Sequence, residues 1–258
     1  MKTYVFLAVI ATLGTWLVTA LGAAIVVFFK EPDKKLMNLM LGFASGVMIA
    51  ASFWSLLAPA VKLAENFKTP AGIIVTAGFL SGALFIYFSD KLINAIKKDT
   101  PENTGKSRIF MLIISITLHN IPEGLAVGVA FGALSEGFSR EALMGAIGVA
   151  TGIGLQNFPE GAAVSLPLRR EGYSRKKSFL SGQASGMVEP ISGFLGATLV
   201  ACVDKILPFA LSFAAGAMIL VAVHELIPEC RENSRSSYFS TMGIISGFAL
   251  MMLLDVML

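Results

Sequence analysis

Charge is what this chain has least of. Asp, Glu, Lys and Arg make up 14% of its 258 residues and hydrophobic residues 55%, against roughly 25% charged residues in a soluble domain. With a mean hydropathy of +0.75, that shortage excludes an ordinary water-soluble globule and makes a lipid bilayer the solvent. Histidine and cysteine are scarcer still, two of each. Cys202 falls near the outer end of one apolar run and Cys230 near the inner end of the next. A membrane thickness then separates them, and no disulfide is expected between them. Lys and Arg are missing from the middle of the long apolar runs, so acids found at that depth have no basic partner there.

In place of charge stand eight apolar runs, at 4–29, 36–57, 71–96, 109–134, 142–166, 179–203, 207–227 and 238–258. Each has about the 20 residues needed to cross a hydrocarbon layer roughly 30 Å thick. They read as one all-α integral membrane domain over 1–258, a bundle of eight transmembrane helices, called spans one to eight. The first run is about twice the roughly 7 to 15 residues of a signal-peptide core, so it reads as a retained helix. Basic residues sort to alternate connections. Fifteen (Lys30, Lys34, Lys35, Lys91, Lys97, Lys98, Lys106, Arg108, Arg169, Arg170, Arg175, Lys176, Lys177, Arg231, Arg235) flank the connections after spans one, three, five and seven, against five (Lys2, Lys62, Lys68, Arg140, Lys205) on the opposite side. Positive loops stay cytoplasmic, which predicts a multi-pass protein of the cell membrane with both termini outside. The net charge of +3 is thereby a topology signal, and nucleic acid is an unnecessary partner. The basic stretch RREGYSRKK (169–177) reads as a topology anchor, with lipid headgroup contact as the alternative.

Two of the runs are interrupted by polar groups. HNIPEGLAVGVAFG (119–132) and QNFPEGAAVS (156–165) both contain N-x-P-E-G. His119 is ten residues into span four, about 15 Å at 1.5 Å per residue, close to the bilayer centre. Gln156 and Asn157 in span five, Glu189 in span six and Met48 in span two reach a similar depth. His119 and Glu123 are four residues apart, as are Gln156 and Glu160, so each pair shares a helix face, while Asn120 and Asn157 fall on the adjacent face. Pro122 and Pro159 each remove a backbone donor, freeing the carbonyls of Leu118 and Leu155. Gly124 and Gly161 allow close helix approach.

A charge at a helix centre costs about 2.5 to 3.5 kcal/mol on insertion scales, so Glu123, Glu160 and Glu189 left bare would cost on the order of 8 to 10 kcal/mol. Protons or a cation can offset that. Both histidines lie in apolar segments beside carboxylates, which favours a metal ion. One imidazole with carboxylates, amides and a thioether suits a borderline divalent metal such as Zn²⁺, with Cd²⁺, Fe²⁺, Mn²⁺ and Co²⁺ as other candidates.

HNIPEG and QNFPEG, followed by SGMVEP and HELIPE in the next two spans, resemble the ZIP (Zrt/Irt-like) family of divalent-metal transporters, in particular its GufA-like branch. The resemblance covers nearly the whole chain. It implies a 3+2+3 bundle with inverted repeats and spans four and five at the centre. It implies a primary metal site of His119, Glu123, Gln156, Glu160 and Met48, and a second site of Asn120, Asn157 and Glu189 bridged by Glu123 and Glu160. His224 and Glu225 would line the cytoplasmic exit. Many members carry a carboxylate where this chain has Asn157, which makes the second site less negative here. Many also have a histidine-rich loop after span three, whereas KKDTPENTGKSR (97–108) holds no histidine and reads as a solvated linker. The chain is expected to be a carrier of divalent metal ions and not an enzyme, with a homodimer compatible with the pattern.

Two other functions use some of the same residues. A proton-coupled carrier of an organic solute would need the buried acids but no metal. An intramembrane metalloprotease would need H-E-x-x-H; His224 and Glu225 begin that motif, but Pro228 stands where its second histidine belongs.

Overall fold

The computed structural model describes residues 2–28, 34–98, 105–135, 137–170, 172–202, 206–231 and 237–257, and every regular element among them is helical. Helix α1 (Lys2–Ala24) ends in a 3-10 turn; α2 (Lys34–Ala51) continues through a π-turn (Ser52–Leu57) into α3 (Ala58–Ala64). Then come α4 (Ala71–Lys98), α5 (Gly105–Gly132), α6 (Arg140–Arg170), α7 (Arg175–Ser185) and α8 (Val188–Cys202). Helix α9 (Leu207–Val221) passes through a second π-turn (Ala222–Leu226) into α10 (Ile227–Arg231), and α11 (Ser237–Met257) follows. Among the described residues, five helical stretches are long and apolar enough to cross a membrane: Thr3–Val27, Lys35–Ala64, Ala71–Leu92, Leu207–His224 and Tyr238–Met257. The N-x-P-E-G helices α5 and α6 run for 28 and 31 residues, continuous through Pro122, Pro159 and Pro167.

The sixth apolar run differs from expectation. It is two helices, α7 and α8, separated at Gly186 and Met187. Val188–Glu189–Pro190 opens α8, and proline in a first turn loses no helical hydrogen bond. Gly186 has a further role: a Cβ there would stand 3.0 Å from both Glu189 Oε1 and Thr19 Oγ1. At the α6–α7 connection Gly172 takes φ of 90°, which glycine tolerates. Arg169 Nη1 donates to the Tyr173 carbonyl at 2.8 Å, and Lys177 Nζ lies 4.7 Å from the Tyr173 ring centroid. Of the expected linker 97–108, residues 99–104 fall outside the described residues, whereas 97–98 end α4 and 105–108 open α5, so the connection is shorter than expected; the side chain of Cys202 is also outside the described residues.

Helices in lipid gain little from hiding apolar surface and associate by close backbone packing at small residues. Four pairs dominate: α1 with α6, α5 with α8, α2 with α11, and α4 with α9. Glycines mediate each. Gly22 abuts the Phe158 carbonyl and Gly161 the Thr19 carbonyl; Gly128 abuts Gly193; Gly82 abuts Phe213; Gly247 abuts Phe43.

These contacts obey a twofold relation that is also written in the chain. L-x-F-A-x-G-x-M-I occurs at 41–49 in α2 and again at 211–219 in α9. G-x-x-S-G occurs at 78–82 in α4 and 243–247 in α11, each followed eight residues later by an aspartate, Asp90 and Asp255. L-G-A occurs at 21–23 in α1 and 195–197 in α8. Exchanging the members of each pair carries one contact onto another. Gly82 against Phe213 becomes Gly247 against Phe43, Gly78 against Phe209 becomes Gly243 against Leu39, and Gly216 against Phe79 becomes Gly46 against Ile244. Both π-turns fall on the paired elements α2–α3 and α9–α10.

Candidate metal centre

Helices α5 and α6 bring the two N-x-P-E-G motifs side by side, flanked by α1 and α8. Asn120, Glu123, Gln156, Asn157 and Glu189 are completely buried and Glu160 nearly so. Gln156 Nε2 donates to Glu123 Oε1 at 2.6 Å and ties α6 to α5. Asn120 Nδ2 donates to the Ser185 carbonyl at the end of α7, 2.9 Å away. Asn157 Nδ2 donates to Glu189 Oε2 at 2.8 Å and to the Thr15 carbonyl at 3.2 Å. The two asparagines thus do the same thing: each ties its amide nitrogen to a flanking helix.

What the hydrogen bonds leave over is all of one kind. Asn120 Oδ1, Glu123 Oε2, Gln156 Oε1, Asn157 Oδ1 and both Glu160 carboxylate oxygens are buried without a hydrogen-bond partner. Among the described residues the cluster thus leaves six acceptors on five residues and no donor, an arrangement that a bound cation or protons on the carboxylates would satisfy. Buried polar atoms otherwise find partners, and an isolated buried carboxylate is among the most costly groups to leave bare. Glu123, Glu160 and Glu189 lie near enough to repel one another, which a cation would relieve. Among the described residues no three of His, Cys, Asp and Glu converge closely enough to hold an ion by themselves.

The remaining sequence-predicted residues fall as follows. His119 lies on α5 one turn before Glu123, and its side chain is outside the described residues. Met48 is completely buried on α2, which packs on α6 as well as on α11. His224 is exposed on the second π-turn; Glu225 follows it, with its side chain outside the described residues. Sequence reasoning missed three contributors. Thr15 Oγ1 donates to Glu189 Oε2 at 2.5 Å, Thr19 Oγ1 reaches Glu189 Oε1 at 3.3 Å, and the Ser185 carbonyl anchors Asn120. A signal for the threonines existed: Thr12, Thr15 and Thr19 are spaced to share one face of the first apolar run, and all three are buried.

A helical bundle whose buried centre is a cluster of unsatisfied carboxylate and amide oxygens belongs to the class of membrane carriers for cations. The comparison with known proteins narrows the class. A family model described as ZIP Zinc transporter matches residues 3–109 and 100–255. The zinc transporter ZIP11 of Homo sapiens is 38% identical over 98% of this chain and 97% of its own length. The zinc transporter ZIPB of Bordetella bronchiseptica is 34% identical over 100% of this chain and 83% of its own. The zinc transporter GufA of Myxococcus xanthus is 34% identical over 96% and 98%. The chain belongs to the ZIP zinc transporter family, and it is a transporter and not an enzyme.

Proposed function

We propose that the chain carries zinc, together with divalent ions of related chemistry (Cd²⁺, Fe²⁺, Mn²⁺, Co²⁺), into the cytoplasm through a site between α5 and α6 close to the bilayer midplane. The observation that carries this reading is the set of six partnerless buried oxygens on Asn120, Glu123, Gln156, Asn157 and Glu160. Glu123, Glu160 and the Gln156 amide oxygen hold the ion, His119 adds the imidazole from the turn before Glu123, and Met48 adds a thioether from α2. Such a mixed set favours a borderline metal over Mg²⁺ or Ca²⁺, which call for oxygen alone. His224, exposed near the end of α9, and Glu225 receive the ion on the cytoplasmic side.

The eight spans form a 3+2+3 bundle in the cell membrane, both termini outside. The charge asymmetry of the connections supports the orientation. The paired motifs and exchanged glycine contacts support an inverted repeat in which spans one to three correspond to six to eight, and four to five. Alternating access then needs no covalent step: one repeat rocks against the other around the bound ion.

Uptake of radiolabelled zinc into proteoliposomes tests the site. Glu123→Gln and Glu160→Gln each remove a carboxylate with little change of volume and should lower uptake at least about tenfold, the scale of about 1.4 kcal/mol. Undiminished uptake in both variants overturns the assignment.

A further inference from the structure

We propose that Glu189 holds the bundle together and not the ion. With Thr15, Thr19 and Asn157 it forms a closed hydrogen-bonded clasp, so the midplane site takes one metal ion where a pair of bridged sites was expected. This rests on the transport reading above.

Three buried acids stand near one another, and their oxygens differ in what they lack. Both oxygens of Glu160 and one of Glu123 have no partner. Both oxygens of Glu189 have one: Oε2 accepts from Thr15 Oγ1 at 2.5 Å and from Asn157 Nδ2 at 2.8 Å, and Oε1 accepts from Thr19 Oγ1 at 3.3 Å. A carboxylate that already accepts three hydrogen bonds has far less to gain from a cation than a bare one. An ion bound there would have to displace those donors first.

Asn157 is the decisive member. Its amide nitrogen has two hydrogens, and the structure gives both a target, Glu189 Oε2 and the Thr15 carbonyl. That fixes which end of the amide faces which way. Turning it over would set Oδ1 against a carboxylate oxygen and a carbonyl oxygen, acceptor against acceptor, and lose two hydrogen bonds. Asn157 therefore presents NH₂ to Glu189, the opposite of what a cation between the two would require. Its Oδ1 stays among the partnerless oxygens and remains available to the single site.

The clasp also ties three helices, α1 through Thr15 and Thr19, α6 through Asn157 and α8 through Glu189. Gly186 makes the approach of Thr19 to Glu189 sterically feasible. Under the internal repeat that pairs Leu21-Gly22-Ala23 with Leu195-Gly196-Ala197, Thr15 occupies the position of Glu189 in the other half. An acid in one repeat is thus met by a hydroxyl at the matching position of its twin.

Crystals of the full chain soaked in cadmium chloride, read by anomalous scattering, test this. The wild type should show one cadmium peak among Glu123, Gln156 and Glu160 and none in coordination contact with Glu189. Asn157→Asp removes the donor and places a second carboxylate against Glu189, so a second peak should appear there. In zinc uptake, Glu189→Gln, which keeps one acceptor oxygen for Thr15 and Asn157 and turns its NH₂ toward the Thr19 hydroxyl oxygen, should leave KM within about twofold of wild type, whereas a residue that binds the ion should shift it about tenfold or more. A thermal melt of each variant shows that it is folded. A second wild-type peak on Glu189 with normal uptake overturns the clasp alone, as does a tenfold rise of KM in Glu189→Gln. No cadmium peak and no uptake by the wild type overturn both the clasp and the transport reading.

Discussion

Gln156 shows how one side chain can limit the charge of a buried site without emptying it. Its Nε2 donates to Glu123 Oε1, which lowers the cost of one carboxylate oxygen, while its own Oε1 is left without a partner. Gln156→Leu removes both effects. Losing a donor to a buried charged acceptor costs about 1 to 3 kcal/mol, and one oxygen leaves the donor set. We expect a lower melting temperature in detergent together with a zinc KM raised several-fold. A melting curve and KM identical to wild type would rule this role out. At this scale the burial of Glu123, Gln156 and Glu160 was legible from the sequence, because polar residues recurring at helical spacing in apolar runs must face other protein and not lipid. Thr15 and Thr19 gave only the weaker signal of sharing a helix face with Thr12, which names no partner. A threonine inside an apolar helix ordinarily satisfies itself on its own backbone, as Thr12 does on the Ala8 carbonyl at 2.8 Å. Only the position of Glu189 across the interface gives Thr15 and Thr19 an acid to hold.

Among the elements, the helix pairs are held by glycines whose neighbours leave no room for a methyl group. A Cβ at Gly82 would run into the Phe213 backbone, and one at its counterpart Gly247 into that of Phe43. Gly82→Ala and Gly247→Ala should therefore each destabilise the fold by about 1 to 3 kcal/mol, as overpacking does, and by similar amounts. Gly14→Ala, where nothing lies within 4 Å, should be neutral or slightly stabilising. Thermal unfolding in a single detergent separates the outcomes, and a Gly82→Ala variant as stable as Gly14→Ala would contradict the packing described. The break between α7 and α8 belongs to this scale too. A hydropathy reading runs straight through Gly186 and Met187, because both are compatible with a membrane helix. The helix ends there because Pro190 sits in the first turn of a new one and Glu189 must turn toward α1.

For the whole molecule, orientation and inverted repeat together make predictions that no single helix does. In the proposed orientation, with both termini outside, a cysteine placed at Lys62 or Lys68 in a background free of Cys202 and Cys230 should react with a membrane-impermeant maleimide on intact cells. One placed at Arg175 should react only after permeabilisation. The reverse labelling would invert the topology. Selectivity is also set at this scale, by which elements converge. Zinc and cadmium should enter proteoliposomes far faster than magnesium or calcium, because the imidazole and thioether donors proposed from His119 and Met48 would discriminate against hard cations. Equal uptake of magnesium and zinc would contradict the donor set.

Composition alone determined that this chain lives in lipid, since 55% hydrophobic and 14% charged residues cannot form a water-soluble surface. The spacing of the two N-x-P-E-G motifs determined which acids and amides sit in the apolar layer and which share a helix face, because helix periodicity is a local property of the backbone. The tertiary structure decided the rest. Which oxygens are satisfied and which are left over depends on neighbours far along the chain, Thr15 and Thr19 for Glu189, Gln156 for Glu123, Ser185 for Asn120. Hydrogen bonding is short-ranged and directional, so three glutamates that look alike in sequence become different groups only when the helices pack.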